Sequence, residues 1–251
     1  MVGFGGVAIS HVGAITRKRS VSFYDSEVGT LQMKLTLPFI SEWHVAHSYS
    51  GPTPEGRTHR FAGIKELSYL HPKHFKPDRA KAVAAGFDPE QDNFFVRLVG
   101  WGAAHDLGKT GLSGHDLERL IPYLETRGRV HLSVEGDVPT DFRHLRVEGD
   151  PLRAHHLMAF SRLYIGESAS MAAEAAVLGT PGFFVAGFEL GYVKELEAAG
   201  LLEQQTKLDS LFPAIDAVLQ LDPGVFTERR DAFVAQRVDV AEYVISVITG
   251  R

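Results

Sequence analysis

The chain has 251 residues, 44% of them hydrophobic, enough to bury a substantial core in one large domain or two small ones. Its net charge of −5 excludes a global basic field for nucleic acid or anionic membrane, and the absence of cysteine excludes disulfides, thiolate metal sites and cysteine nucleophiles. No run reaches the roughly 18 apolar residues needed to cross a bilayer, and the N-terminus, apolar and then basic, reverses the charge order of a secretory signal, so a folded cytoplasmic protein without a membrane span is expected.

Met1 to Phe4 reads as the end of a strand, Val7 to Ile15 as a helix and Ser20 to Tyr24 as a second strand. Leu35 to Ala46 and Arg60 to Ala62 continue the rhythm, and His71 to Asp78, with prolines at 72 and 77, reads as a connection between domains. A self-sufficient α/β domain usually needs about 100 residues. Residues 1–82 are therefore expected to be the later part of a first domain, truncated at its start, and residues 83–251 a second, complete one.

The second domain alternates short apolar runs with helical periodicity, the pattern of a parallel sheet. Asn93 to Trp101 is a strand buried on both faces, and Gly102 to Gly111 a loop. Ser113 and Asp116 open a helix through Leu117, Leu120, Ile121 and Leu124. Val130 to Val134 is a strand, Leu145 to Val147 a short further one, and Asp150-Pro151 starts a helix over Ala154 to Phe160. Leu163 to Ile165 is a strand, Met171 to Leu178 a helix closed by Gly179 and Pro181, Gly182 to Val185 a strand and Tyr192 to Ala199 a helix. Ser210 to Leu221 and Thr227 to Ile248 read as closing helices.

Chemistry concentrates in the run from Tyr164 to Val185. Its loop puts Ser168, Ala169 and Ser170 at a helix N-terminus, where unpaired amides and the positive dipole end favour an anion such as a diphosphate. Glu174, one turn on, can accept two hydrogen bonds from a vicinal diol such as a ribose. The plainer reading is an alanine-rich core helix with a serine cap and a solvated glutamate. His105 follows the first strand of this domain, at the edge where doubly wound sheets bind ligands, and either meets a phosphate or orders its turn through Asp106. Arg97, inside an apolar strand, reaches either a phosphate or an internal carboxylate. Asp25 and Glu27 follow a strand of the first domain, as a pair for proton transfer or as a cap on the next helix. Gly3, Gly5 and Gly6 form a tight turn or touch a ligand, and the 12 histidines show no metal-binding motif.

The order Ser-x-x-x-Glu-Ala-x-x-x-Gly-x-Pro, here Ser170 to Pro181, resembles the donor-site signature of the UDP-N-acetylglucosamine 2-epimerases and related GT-B glycosyltransferases. FYDSE, ELSYLHP, WGAAHD, HHLMAFSRLYIGESASMAAEAAVLGTP and ELEAAGLL resemble more specifically a prokaryotic family within that superfamily, domain of unknown function 354. The resemblance implies a GT-B-like pair of Rossmann-like, doubly wound parallel sheets, the N-terminal one truncated and acceptor-side. It also implies nucleotide-sugar binding by Ser168, Ser170 and Glu174, a UDP-sugar as substrate with no further cofactor, and an acceptor of unspecified kind; assembly as a homo-oligomer is compatible with it. Two departures stand out: His105 lacks the following arginines of the epimerases, and Tyr24 to Gly29 replaces their His-x-Glu-Ala-Gly-x-Arg. Glycosyl transfer, with catalytic His105, Asp25 and Glu27, is therefore expected first. Epimerisation, or nucleotide-sugar binding without catalysis, are the alternatives.

Overall fold

The computed structural model describes residues 1–99, 112–136, 138, 140–147 and 153–250. In chain order the elements are β1 (Val2–Phe4), α1 (Val7–Thr16), β2 (Val21–Tyr24), α2 (Thr30–Thr36), β3 (Glu42–Ala46), β4 (Thr58–Phe61), α3 (Leu67–Leu70), α4 (Arg79–Ala84), β5 (Asn93–Leu98), α5 (Gly114–Glu125), β6 (Arg129–Val134) and α6 (Ala154–Phe160). There follow β7 (Leu163–Gly166), α7 (Ala169–Leu178), β8 (Gly182–Val185), α8 (Gly191–Ala198), β9 (Leu202–Gln205), α9 (Leu208–Leu219), α10 (Gly224–Ala235) and α11 (Val240–Thr249). No described helix is long and apolar enough to cross a membrane.

Contacts divide the chain into two units, one of Met1–His71, Glu189–Glu195 and Val234–Arg251, the other of Pro72–Phe188 and Leu196–Phe233. This partition differs from a division at residue 82. Helix α4 packs on α6, with the Arg79 guanidinium 5.2 Å from the Phe87 ring and 5.9 Å from the Phe160 ring, and so belongs to the second unit. Helix α11 packs on α3 and belongs to the first.

The first unit holds a four-stranded parallel sheet, β1-β2-β3-β4. Alternation along β3 sends Trp43 and Val45 into a core with Tyr24, Met33, Ile40 and Tyr49, and His44 to the opposite face beneath Tyr243 of α11.

The second unit holds a five-stranded parallel sheet, β6-β5-β7-β8-β9. Phe94, Val96, Leu98, Val130, Leu132, Leu163, Ile165, Phe183 and Val185 project from one face into the apolar stripes of α5 and α9. Phe95 and Tyr164 stack on the other face at 6.2 Å, where α7 lies flat because Ala172, Ala173, Ala175 and Ala176 are all fully buried and keep its backbone near the strands. Helices on both faces make this a doubly wound α/β sheet.

Three readings of single elements change. Thr140–Leu145 is a 3-10 turn, and of the stretch expected as a strand at Leu145 to Val147 only Arg146 pairs, in one isolated bridge to Leu132. The expected helix over Thr227 to Ile248 is two, because Asp239 caps a new one by accepting a hydrogen bond from the amide of Glu242 at 3.2 Å. Strand β9 is additional, a polar edge strand with the sequence Leu-Glu-Gln-Gln.

Candidate functional site

In the second unit the chain runs from β5 outward to β6 and then returns to β7 on the other side of β5. Strand order therefore reverses between β5 and β7, and the C-terminal edge at such a reversal is where doubly wound sheets bind ligands. The segments at this point are the one following Leu98 and the Gly-Glu-Ser turn, Gly166 to Ser168, that opens α7. His105 and Asp106 belong to the first and lie outside the described residues.

Ser168 is the N-cap of α7, its Oγ accepting a hydrogen bond from the amide of Met171 at 3.3 Å. Ala169 and Ser170 are the first helical residues, half-buried. The first turn of α7 contains no acidic residue, so its positive end is not neutralised by its own side chains. Gly166 is needed for close approach: a Cβ there would stand 2.6 Å from both the Arg97 carbonyl oxygen and the Tyr164 hydroxyl.

Glu174 does not extend into bulk solvent; its side chain is 12% exposed, and Oε1 lies 3.3 Å from His155 Nε2 on α6. That contact fixes one carboxylate oxygen of Glu174 toward α6. Arg97 donates to Ser133 Oγ at 2.8 Å and to the Glu135 carboxylate. That carboxylate is not internal, since 58% of the Glu135 side chain is exposed, so the pairing matches neither a phosphate contact nor a buried ion pair. Arg97 Nε is buried and without a hydrogen-bond partner among the described residues.

A residue the sequence reading passed over links the segment after β7 to described residues on either side of 100–111. Glu167 accepts hydrogen bonds from the amide of Val99 at 2.9 Å and that of Leu112 at 2.7 Å. Burial pushes its carboxyl pKa up, against the two amide hydrogen bonds, which favour the charged form. The carboxylate is thus turned from the α7 N-terminus toward the β5 side.

In the first unit, Asp25 and Glu27 follow the C-terminal end of β2 and line a cavity with an empty volume of about 510 Å³. Tyr24, Tyr49, Lys65 and Tyr192 are among its other walls. Asp25 is ion-paired with Lys65, Oδ2 to Nζ 2.7 Å. Burial lowers the pKa of Lys65, and the carboxylates of Glu66 and Asp25 more than offset this, so the net shift is upward. Glu27 is anchored by one oxygen only: Oε1 accepts from the amides of Gly191 at 3.0 Å and Ser50 at 3.2 Å and from Ser50 Oγ at 3.4 Å. Its Oε2 is buried with no hydrogen-bond partner among the described residues. Gly191 permits this anchoring, since a Cβ would meet the Ser48 carbonyl oxygen at 1.9 Å. Glu66, only 1% exposed, is a further carboxylate of this cavity that sequence reasoning did not single out.

No protein-family model and no curated protein sequence matches the chain. Solved structures do. A UDP-GlcNAc 2-epimerase from Neisseria meningitidis, bound to UDP-GlcNAc, matches 100% of this chain and 76% of its own at 11% identity and a TM-score of 0.68. The S. aureus MnaA protein, solved with UDP, matches 98% of this chain and 74% of its own at 10% identity and a TM-score of 0.65. A glycosyltransferase of kitacinnamycin matches 94% and 71% at 10% identity and a TM-score of 0.55. The chain shares the fold of these proteins. At such identities the likeness establishes the α/β, Rossmann-like architecture and leaves the more specific resemblance to family 354 without a matching family model.

Proposed function

We propose that the chain binds a UDP-sugar and transfers its sugar to an acceptor in the synthesis of a surface polysaccharide or glycoconjugate. The observation that carries this is the place of α7: a helix N-terminus with no acidic residue in its first turn, at the C-terminal end of β7, where strand order reverses. The diphosphate would lie against the amides of Ala169 and Ser170 and the Ser168 and Ser170 hydroxyls. Glu174 would hold the ribose diol through its carboxylate. As the bond to the sugar breaks, negative charge grows on the diphosphate, and fixed amide dipoles stabilise it without reorganising. His105 would donate to that departing group, and Arg97 would do so by exchanging its exposed partner Glu135 for a phosphate oxygen.

In the first unit Asp25 is committed to Lys65, which leaves Glu27 Oε2 as the carboxylate oxygen suited to take a proton from an acceptor hydroxyl. One base suffices for transfer. Epimerisation at C2 needs a second group to return the proton, and Glu66, in the wall of the same cavity as Glu27, keeps it as the second reading.

Calorimetry with UDP and UDP-sugars tests the binding claim. Glu174→Gln removes a charge-assisted hydrogen bond of about 1.5–3 kcal/mol and should weaken UDP-sugar binding by roughly 10- to 100-fold. Unchanged affinity would refute the assignment of α7. Incubation of UDP-N-acetylglucosamine in deuterium oxide separates the two chemistries, because exchange at C2 belongs to the epimerase and transfer leaves C2 unlabelled. Binding with neither reaction selects a non-catalytic nucleotide-sugar protein.

A further inference from the structure

The first sheet brings together a set of ligating atoms that sequence spacing conceals. Strands β3 and β4 pair in parallel with His44 opposite His59, and Glu42 precedes His44 by two residues, so all three side chains share one face. Their ligand atoms lie within 4.8 Å of one another. We infer that Glu42, His44 and His59 form a binding site for a zinc-class divalent cation, distinct from the nucleotide-sugar site.

Two imidazoles and one carboxylate are the donor set that zinc accepts, leaving a fourth position for water. Bonds of about 2.0–2.1 Å in a tetrahedron set neighbouring ligand atoms about 3.3 Å apart. His44 Nε2 and Glu42 Oε2 already stand 3.3 Å apart. His59 is exposed and stacks on His44 at 4.7 Å between ring centroids, so a side-chain rotation turns its lone pair inward without moving backbone. His44 is buried and held from behind: its Nδ1 lies 2.7 Å from the Tyr243 hydroxyl. That contact fixes the ring with Nε2 toward Glu42, the kind of outer hydrogen bond that orients a metal-ligating histidine. With the metal bound, the proton of His44 resides on Nδ1 and is donated to Tyr243.

A guanidinium competes for this place. Arg19 donates to Glu42 Oε1 at 2.6 Å and to Oε2 at 2.8 Å, but its side chain is 47% exposed and can swing away. The metal would join the edge strand β4 to β3 and, through Tyr243, to α11, while Asp25 and Glu27 sit beyond the opposite, C-terminal ends of the strands.

The test is calorimetric titration of the full chain with zinc chloride, with magnesium chloride as the oxygen-preferring control. The chain has 12 histidines, so variants decide it. One saturable zinc site is expected in the wild type, weakened about tenfold or more in His59→Ala and in Tyr243→Phe, and tightened in Arg19→Gln. Zinc should raise the thermal midpoint of the wild type and not of His59→Ala, while UDP binding, measured separately, is the same in both. Equal zinc affinity in wild type and His59→Ala, or no saturable uptake by either wild type or Arg19→Gln, would overturn the assignment.

Discussion

His131 is the residue whose burial has the clearest consequence for the protein in solution. Its Nε2 lies 2.8 Å from Asn93 Oδ1, and Asn93 is itself fixed, its Nδ2 donating to the carbonyls of Asp88 at 2.7 Å and Gln91 at 2.8 Å. Burial, helped by the nearby Arg129 charge, lowers the His131 pKa to about 4. The unfolded chain titrates this residue near pH 6.5. Below that pH the unfolded state binds a proton that the folded state refuses, so stability is whole above pH 6.5 and is lost as pH falls toward 4. Between pH 7 and 4.5 this residue should cost about 2–3 kcal/mol. His44 and His156, also shifted down chiefly by burial, add in the same direction. Urea unfolding of the wild type and His131→Gln at both pH values should give a flatter dependence in the variant; parallel dependences would contradict the account. Glu167 shows what a sequence hides at this scale: a lone glutamate after a glycine carries no local signal, and its partners Val99 and Leu112 are 68 and 55 residues away.

For single elements, the cap of α7 ties stability to the proposed anion site. Replacing Ser168 with alanine removes the acceptor for the Met171 amide and should cost about 1 kcal/mol, or roughly 2–4 °C in the melting midpoint. Gly166→Ala should cost more, about 1–3 kcal/mol, because its neighbours at 2.6 Å include the Arg97 carbonyl and not only a movable side chain. Thermal scans with and without UDP separate the two effects: Ser168→Ala should also lose part of the UDP-induced rise, and an unchanged rise would remove Ser168 from the site. Elements with strong local chemistry were legible in the sequence. The Ser113–Asp116 capping box is present with both of its hydrogen bonds, and α6 and β8 run as their periodicity predicts. What stayed hidden depends on distant partners. Strand β9 has polar residues and is defined by pairing with β8, and the break before α11 has neither glycine nor proline to announce it. The positions of Ser168, Ser170 and Glu174 on one helix could be read locally, whereas the commitments of Asp25 to Lys65 and Glu174 to His155 needed tertiary structure.

Across the whole molecule the path of the chain sets which parts stand or fall together. The first unit is assembled from three separate stretches, the last beginning at Val234. Helix α11 is the cover on one face of its sheet: Val240 is 2% exposed, the Tyr243 ring packs against Phe61 at 4.8 Å and Phe23 at 6.4 Å, and Arg19 donates to the Val247 carbonyl at 2.9 Å. Burial of each large apolar side chain is worth about 1.5–3 kcal/mol. Losing two of them approaches the low end of the roughly 5–15 kcal/mol that holds a typical domain folded. The double variant Val240→Ala, Tyr243→Ala in the full chain should therefore open the first sheet while leaving the second intact. Amide hydrogen exchange read by mass spectrometry distinguishes the outcomes, since β2, β3 and β4 should lose protection and β5, β7 and β8, whose cover comes from α5, α7 and α9, should keep it. Equal loss in both sheets would mean that the two units unfold as one cooperative body, and the proposed UDP site would then share the fate of the C-terminal helix instead of standing apart from it.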